Sequence, residues 1–324
     1  MEIRITERMK SITPSPIREM FKLASEPGVI SLSAGSPSAA AYPQQELHEI
    51  VEKLFQDPVK FLNYGVTEGY MPLRVFTKER LREKYATGSD QDEVIITSGG
   101  QQSMDLAAKC LIDEGDAVIC ESPAFSGSLN TFLSYGARLI PCKMDEEGLI
   151  PEQVEEVLKT EKRVRAIYTI PTFQNPSGRT LSAGRRKQLL EIATKYDIMI
   201  IEDDPYSELY YTEQHVPSIK SMDEEGRVLY CGSYSKVVAP GLRVGFCLGD
   251  KALIKKMTIG KQASDVHASV LPQMMVYEFC ANYDLDGHLA RVRNLYREKR
   301  DIMLAELAKA DPRISYTRPI GGLF

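Results

Sequence analysis

Between Asp92 and Asp250 the chain alternates short, β-branched apolar runs with longer amphipathic stretches, and this succession restricts its fold more than any other feature. The runs are EVIITS (Glu93–Ser98), DAVIC (Asp116–Cys120), ARLIPC (Ala137–Cys142), VRAIYTI (Val164–Ile170), IMIIEDD (Ile198–Asp204), RVLYCGS (Arg227–Ser233) and RVGFCLG (Arg243–Gly249). Stretches such as SMDLAAKCLIDEG and SAGRRKQLLEIATKYD separate them. In the second, Leu189, Leu190, Ile192 and Ala193 mark an apolar face, and Arg185, Arg186 and Lys187 are expected to face water. Strand followed by helix, repeated, predicts a three-layer α/β/α unit around a mostly parallel seven-stranded sheet. The last run follows its neighbour after a short turn, which predicts an antiparallel strand. From about Ser269 the pattern is helical, and LARVRNLYREKRDIMLAELAKA leads towards PIGGLF at the end of the 324 residues. The expected division is a segment 1–50 contributing to a small domain and the site, a large domain 51–265, and a linking helix with the start of a small α+β domain over 266–324.

Ligands of parallel α/β sheets sit beyond the carboxyl ends of the strands, and four strand ends here carry polar chemistry. TSGGQQSMD (Thr97–Asp105) runs from strand through Gly-Gly into helix, where free N–H groups can hold an anion. The same glycines also serve a plain strand–helix turn, and alone nothing separates the two readings. PTFQNPSG (Pro171–Gly178) presents Asn175 from a proline-rich loop. IIEDDPYSELYY ends a strand on three acids, which is costly in a buried position without cationic partners. Asp203 and Tyr206 are spaced to turn towards one site, or else Glu202 and Asp204 face solvent and Asp203 caps a turn. SYSKVVAPGLRVGF (Ser233–Phe246) sets Ser233, Ser235 and Arg243 as a phosphate clamp beside Lys236. An amine desolvated next to other cations loses basicity and becomes nucleophilic.

A phosphate cradle, a lysine amine, a buried acid and an Asn/Tyr pair together fit pyridoxal 5′-phosphate, whose aldehyde condenses with an amine and whose ring nitrogen needs an acid. Other chemistries find less support. The net charge of −5 gives no footprint for nucleic acid. The four histidines show no ligand spacing, so no metal is expected. The six cysteines contain no CxxC pair and read as reduced thiols. No run is long and apolar enough to span a bilayer and the N-terminus has no apolar core, so neither membrane nor secretion is expected and the cytoplasm is the default.

These motifs, in this order, resemble the class I/II aminotransferases of fold type I, close to the 2-aminoadipate and aromatic aminotransferases and the related domain of MocR-type regulators. The resemblance extends from SPIREMFKLASEPGVISLSAGSP to PIGGLF. It implies amino transfer from an L-amino acid to a 2-oxo acid, with Lys236 as the Schiff-base lysine that shuttles the proton. Asp203 would pair with the ring nitrogen, and Asn175 and Tyr206 would bond the 3-oxygen. Gly100 and Gln101, with Ser233, Ser235 and Arg243, would hold the phosphate. Phe125 replaces a ring-stacking tyrosine and keeps the stacking without the hydroxyl. Tyr64 would reach the phosphate in a partner subunit, implying a homodimer with shared sites, and Gly35 would lie near the substrate together with Asn175. The resemblance also implies a carboxylate-binding arginine beyond the GGLF turn. Because the sequence stops at Phe324, the small domain is expected to be incomplete and cofactor binding to outlast turnover. Two alternatives stay open: a lyase or decarboxylase using the same cofactor, and a cofactor-binding protein with little turnover.

Overall fold

A computed structural model of the chain describes residues 3–6, 9, 12, 28–30, 35–212 and 215–324. Most of the N-terminal part of the resemblance, residues 15–27 and 31–34, therefore lies outside the described residues.

The seven expected strands form, joined by a two-residue eighth. They are β1 (Asp92–Thr97), β2 (Ala117–Ser122), β3 (Arg138–Asp145), β4 (Gly148–Leu149), β5 (Val164–Thr169), β6 (Met199–Asp204), β7 (Val228–Ser233) and β8 (Gly245–Asp250). Their order in the sheet is β1-β8-β7-β6-β5-β2-β3-β4. Pairing is parallel from β7 through β6, β5 and β2 to β3, while β8 runs antiparallel to both β7 and β1. The short β7–β8 turn forces that reversal, as its length predicts. β4 escaped the sequence reading because two residues cannot display a strand period.

The sheet is covered on both faces because its apolar residues alternate between them. Ile95, Val118, Cys120, Ala166 and Cys231 pack towards α4 (Gly100–Leu111), α5 (Ser126–Ser134) and α8 (Lys251–Gln262). Ala117, Ile119, Ile167 and Ile200 point the other way, onto α6 (Pro151–Thr160) and α7 (Ala183–Tyr196). Further along that second face, Val94, Ile96 and Leu248 meet α3 (Met71–Tyr85) and α9 (Val270–Asn282). Upstream of α3 lie α1 (Gln44–Leu54) and the single turn α2 (Val59–Leu62).

α7 corrects one expectation. Arg186 is not on the water side but fully buried, donating to the carbonyls of Leu181 (2.9 Å), Pro171 (2.8 Å) and Pro217 (3.0 Å) and to Thr172 Oγ1 (2.9 Å). A guanidinium is tolerated there because its donors find acceptors, three in the loop after β5 and one, Pro217 O, between β6 and β7. It thereby ties α7 to the loop that carries Asn175.

The C-terminal helix α10 (Leu285–Leu307) leaves the sheet, and the chain then returns. Tyr211 N–H donates to Ile320 O (2.8 Å), Gly322 N–H to Leu209 O (2.9 Å), and Tyr210 forms an antiparallel bridge with Gly321. The GGLF turn thus lies against the segment just past β6.

Candidate active site

The carboxyl ends of β5, β6 and β7 carry the side chains singled out in the sequence. All three acids ending β6 are buried, which removes the solvent-facing alternative for Glu202 and Asp204. Alternation along the strand gives them separate surroundings. Glu202 accepts the backbone N–H groups of Ile219 and Lys220, each at 2.8 Å. Asp204 accepts Tyr230 Oη–H (3.0 Å) and Ser207 N–H (2.9 Å). Asp203 faces the opposite side and accepts Tyr168 Oη–H at 2.9 Å. It has no ion pair among the described residues, and burial pushes its carboxyl up to about 7 against the pull of Tyr168.

Tyr206, two residues beyond β6, is buried, and Asn175 Nδ2 lies 3.5 Å from its Oη. Burial, followed by the charge of Asp203, raises the Tyr206 phenol. Its ring meets that of Phe324 edge-on, with centroids 5.8 Å apart. Phe324 in turn covers Gly35, where an added Cβ would lie 2.2 Å from the ring. Gly35 holds φ +53° and its carbonyl accepts Lys236 Nζ at 3.1 Å. The lysine, the asparagine–tyrosine pair and the acid therefore meet in one place, lined on one side by the C-terminal turn. Lys236 is half-buried, and no carboxylate pairs with it among the described residues. Burial first, and the positive charge of Arg243 second, bring its amine down to about 8.

The anion cradle is assembled from β1, α4 and the turn before β8. Gly99, at φ +74°, ends the turn into α4, which has no side-chain cap. A Cβ on Gly99 would lie 2.3 Å from the Arg243 guanidinium, whereas one on Gly100 meets nothing within 4 Å. The first N–H groups of a 12-residue helix thus open beside a guanidinium. Arg243 itself holds φ +53° and reaches Ser98 O at 3.4 Å. Ser235 N–H donates to Ser233 Oγ (3.1 Å), which orders the two clamp serines. The Gln101 Nε2 donates to Gly127 O (3.0 Å) and Thr131 Oγ1 (2.5 Å) on the neighbouring helix α5, away from Arg243. Phe125 sits at the start of α5, half-buried against the core under the sheet ends. Tyr64 stands apart, 90% exposed, with its ring edge-on to His267.

Two residues important to this arrangement were missed in the sequence. Tyr168 is fully buried and bonds Asp203; it lies on the neighbouring strand, and that adjacency is not written in the chain order. Glu121, at the end of β2, accepts Thr169 Oγ1–H, Ile170 N–H (3.1 Å) and Gln174 Nε2–H (2.9 Å). Burial pushes it up to about 7. Through Gln174, whose Oε1 accepts both donors of Ser177, it shapes the loop presenting Asn175.

These groups fit pyridoxal phosphate on chemical grounds. A buried acid lacking a cation suits a protonated ring nitrogen, the open helix start with Arg243 suits a phosphate, and an unpaired amine suits the aldehyde. Comparisons with known proteins agree. A model of the family "Aminotransferase class I and II" matches residues 27–324. Aromatic-amino-acid aminotransferase 1 of Thermococcus litoralis is 37% identical over 98% of this chain and 78% of its own length. The 2-aminoadipate transaminase of Thermus thermophilus is 39% identical over 97% of this chain and 78% of its own. A crystal structure of Pyrococcus horikoshii kynurenine aminotransferase, in complex with PMP, superposes with a TM-score of 0.94 at 36% identity, covering 98% of this chain and 80% of that one. On the family match and these identities, the chain belongs to the class I and II aminotransferases.

Proposed function

We propose that this pyridoxal-phosphate-dependent aminotransferase uses Lys236 as its cofactor-bonding and proton-transferring lysine, with Asp203 as the partner of the cofactor's ring nitrogen. The observation that carries the reading is Lys236 itself: a half-buried amine at about 8, bonded among the described residues to the Gly35 carbonyl, beside the Phe324–Tyr206–Asn175 group. When bound, the cofactor supplies an aldehyde that condenses with amines and a ring that takes up the electron pair left when the substrate's α-proton departs. Near neutral pH an appreciable fraction of Lys236 is unprotonated, so Nζ can accept the proton from the amino acid's Cα. Asp203 holds a proton on the ring nitrogen, and Tyr168 holds Asp203. Tyr206 and Asn175 supply donors to the 3-oxygen. The first N–H groups of α4, with Ser233, Ser235 and Arg243, take the phosphate, and Phe125 stacks on the ring. Gly35 and Asn175 border the substrate.

The substrate class we infer is an aromatic or 2-aminoadipate-like L-amino acid with a 2-oxo acid acceptor, by likeness to the relatives above. We place the large domain at 51–265, the linking helix and start of the small domain at 266–324, and 1–50 with the small domain. A homodimer is proposed from the surface around Tyr64: Val59, Leu62, Val66 and Met71 are each at least 57% exposed, an apolar strip suited to a second copy, whose phosphate Tyr64 would reach. The six free thiols, five of them buried, fit the cytoplasm.

The test is to load the protein with the cofactor, add a panel of L-amino acids, and quantify 2-oxo acid and pyridoxamine phosphate by chromatography. Equal amounts of both from one or a few amino acids is the expected result. Release of ammonia or carbon dioxide instead would convert the reading to a lyase or decarboxylase. Cofactor retention with no product from any amino acid would leave a binding protein.

A further inference from the structure

We infer that Lys261, with Asp265 and Gln102, is a positioning group for the phosphate cradle, an inference that rests on the cofactor site proposed above. Lys261, on the last turn of α8, is fully buried. Its Nζ donates to Gln102 Oε1 (2.6 Å) and to both oxygens of Asp265 (2.9 and 2.8 Å). The Gln102 amide is thereby fixed in orientation. Its Nε2 donates to Asp265 Oδ2 (2.7 Å), and its Oε1 also accepts the backbone N–H of Ser98 at 2.8 Å. Ser98 Oγ lies 3.4 Å from the same Asp265 oxygen.

Ser98 is the residue before Gly99, so the network grips the turn that opens into α4. The peptide on either side of Ser98 is held from two directions: its N–H by Gln102, its carbonyl by Arg243 Nη2. Lys261 closes α8, where that helix's own dipole favours a cation, but its amine meets Gln102 in the first turn of α4 and burial costs it solvation. Asp265 offsets the charge, and the arrangement gains an amide whose oxygen holds the Ser98 N–H at the turn into α4. Lys261 touches neither cofactor nor substrate in this reading; it acts through Gln102 and the turn.

The consequence is specific to the phosphate. Pyridoxal, which lacks that group, meets the same Asp203, Asn175 and Tyr206 but does not use the cradle. The experiment measures equilibrium affinities of the apo-protein for pyridoxal phosphate and for pyridoxal by absorbance titration, and takes their ratio. Lys261→Met is expected to lower that ratio about 10- to 100-fold, the scale of one lost hydrogen bond to a charged group, while Lys261→Arg restores part of it. Should Lys261→Met fail to fold, the double variant Lys261→Met/Asp265→Leu removes both charges together and is expected to lower the ratio similarly. Arg243→Ala serves as the reference. A ratio unchanged within about twofold in the Lys261 variants, with Arg243→Ala lowering it, overturns the positioning role alone. A ratio unchanged in Arg243→Ala as well overturns the cofactor site on which the inference stands.

Discussion

Lys220 and Lys236 are both drawn out of solvent, one fully and one in part, and they have opposite surroundings. Lys220 is 2% exposed and lies between Asp92 (2.7 Å) and Asp223 (2.9 Å). Among the described residues Lys236 has one carbonyl partner, that of Gly35, and a nearby guanidinium. The first is a strut that joins the start of β1 to the turn before β7. The second keeps an amine whose proton is loosely held. A buried lysine between two carboxylates is held by ion pairs, while one without a carboxylate partner among the described residues is available for proton transfer.

The comparison can be broken first at Lys236. Lys236→Ala is expected to cut transamination about 10⁴-fold, the upper end for a positioned acid–base group, with little change in the unfolding midpoint. A midpoint loss as large as the activity loss would make Lys236 a strut too. Lys220→Met is the mirror experiment. Removing one partner of a buried pair is expected to cost about 3–5 kcal/mol of stability, read by denaturant unfolding, while the protein that remains folded keeps its turnover per site.

Asp203→Asn tests the acid that waits for a cation. Turnover is expected to fall about 10²–10³-fold, as for loss of one preorganised electrostatic partner. Because the folded carboxyl is raised to about 7, its favourable contribution to the apo-protein is full below about pH 4 and is lost as pH rises through 7. The asparagine variant escapes that loss. Apo Asp203→Asn is expected to exceed the wild type in stability by about 4 kcal/mol at pH 8, with the gap closing towards pH 4. A gap independent of pH would remove Asp203 as its source.

The smallest effect concerns the setting of Lys236. Arg243 contributes to the lowering of its amine, second to burial. Arg243→Gln is therefore expected to move the pH profile of Lys236 acylation in the apo-protein upward from about 8, by less than about one unit. Mass-spectrometric labelling rates against pH provide the readout, and a downward shift would contradict the assignment.

Much of this was legible in the chain. The short apolar, β-branched runs leading into TSGG, PTFQNPSG, IIEDD and SYSK placed polar groups at strand ends, and the antiparallel β8 followed from its short connection. Arg186, Glu121 and Lys261 were not legible, because a charged residue on an amphipathic helix or at a strand end reads as solvated until its partners are known. Those partners come from Pro171 and Pro217, from Gln174, and from Gln102, remote in sequence or on other elements.

The sequence by itself determined the alternating α/β pattern, the strand-end chemistry and the family. Local spacing is enough for these, since strand period, turn residues and motif order are properties of neighbours in the chain. Tertiary structure alone decided that all three β6 acids are buried and what each one bonds, that Lys236 goes without a carboxylate among the described residues, and that Phe324 closes over Gly35. Those outcomes depend on desolvation and on partners brought together by the β5–β6–β7 adjacency, and burial is a property of the whole packed molecule, not of any segment.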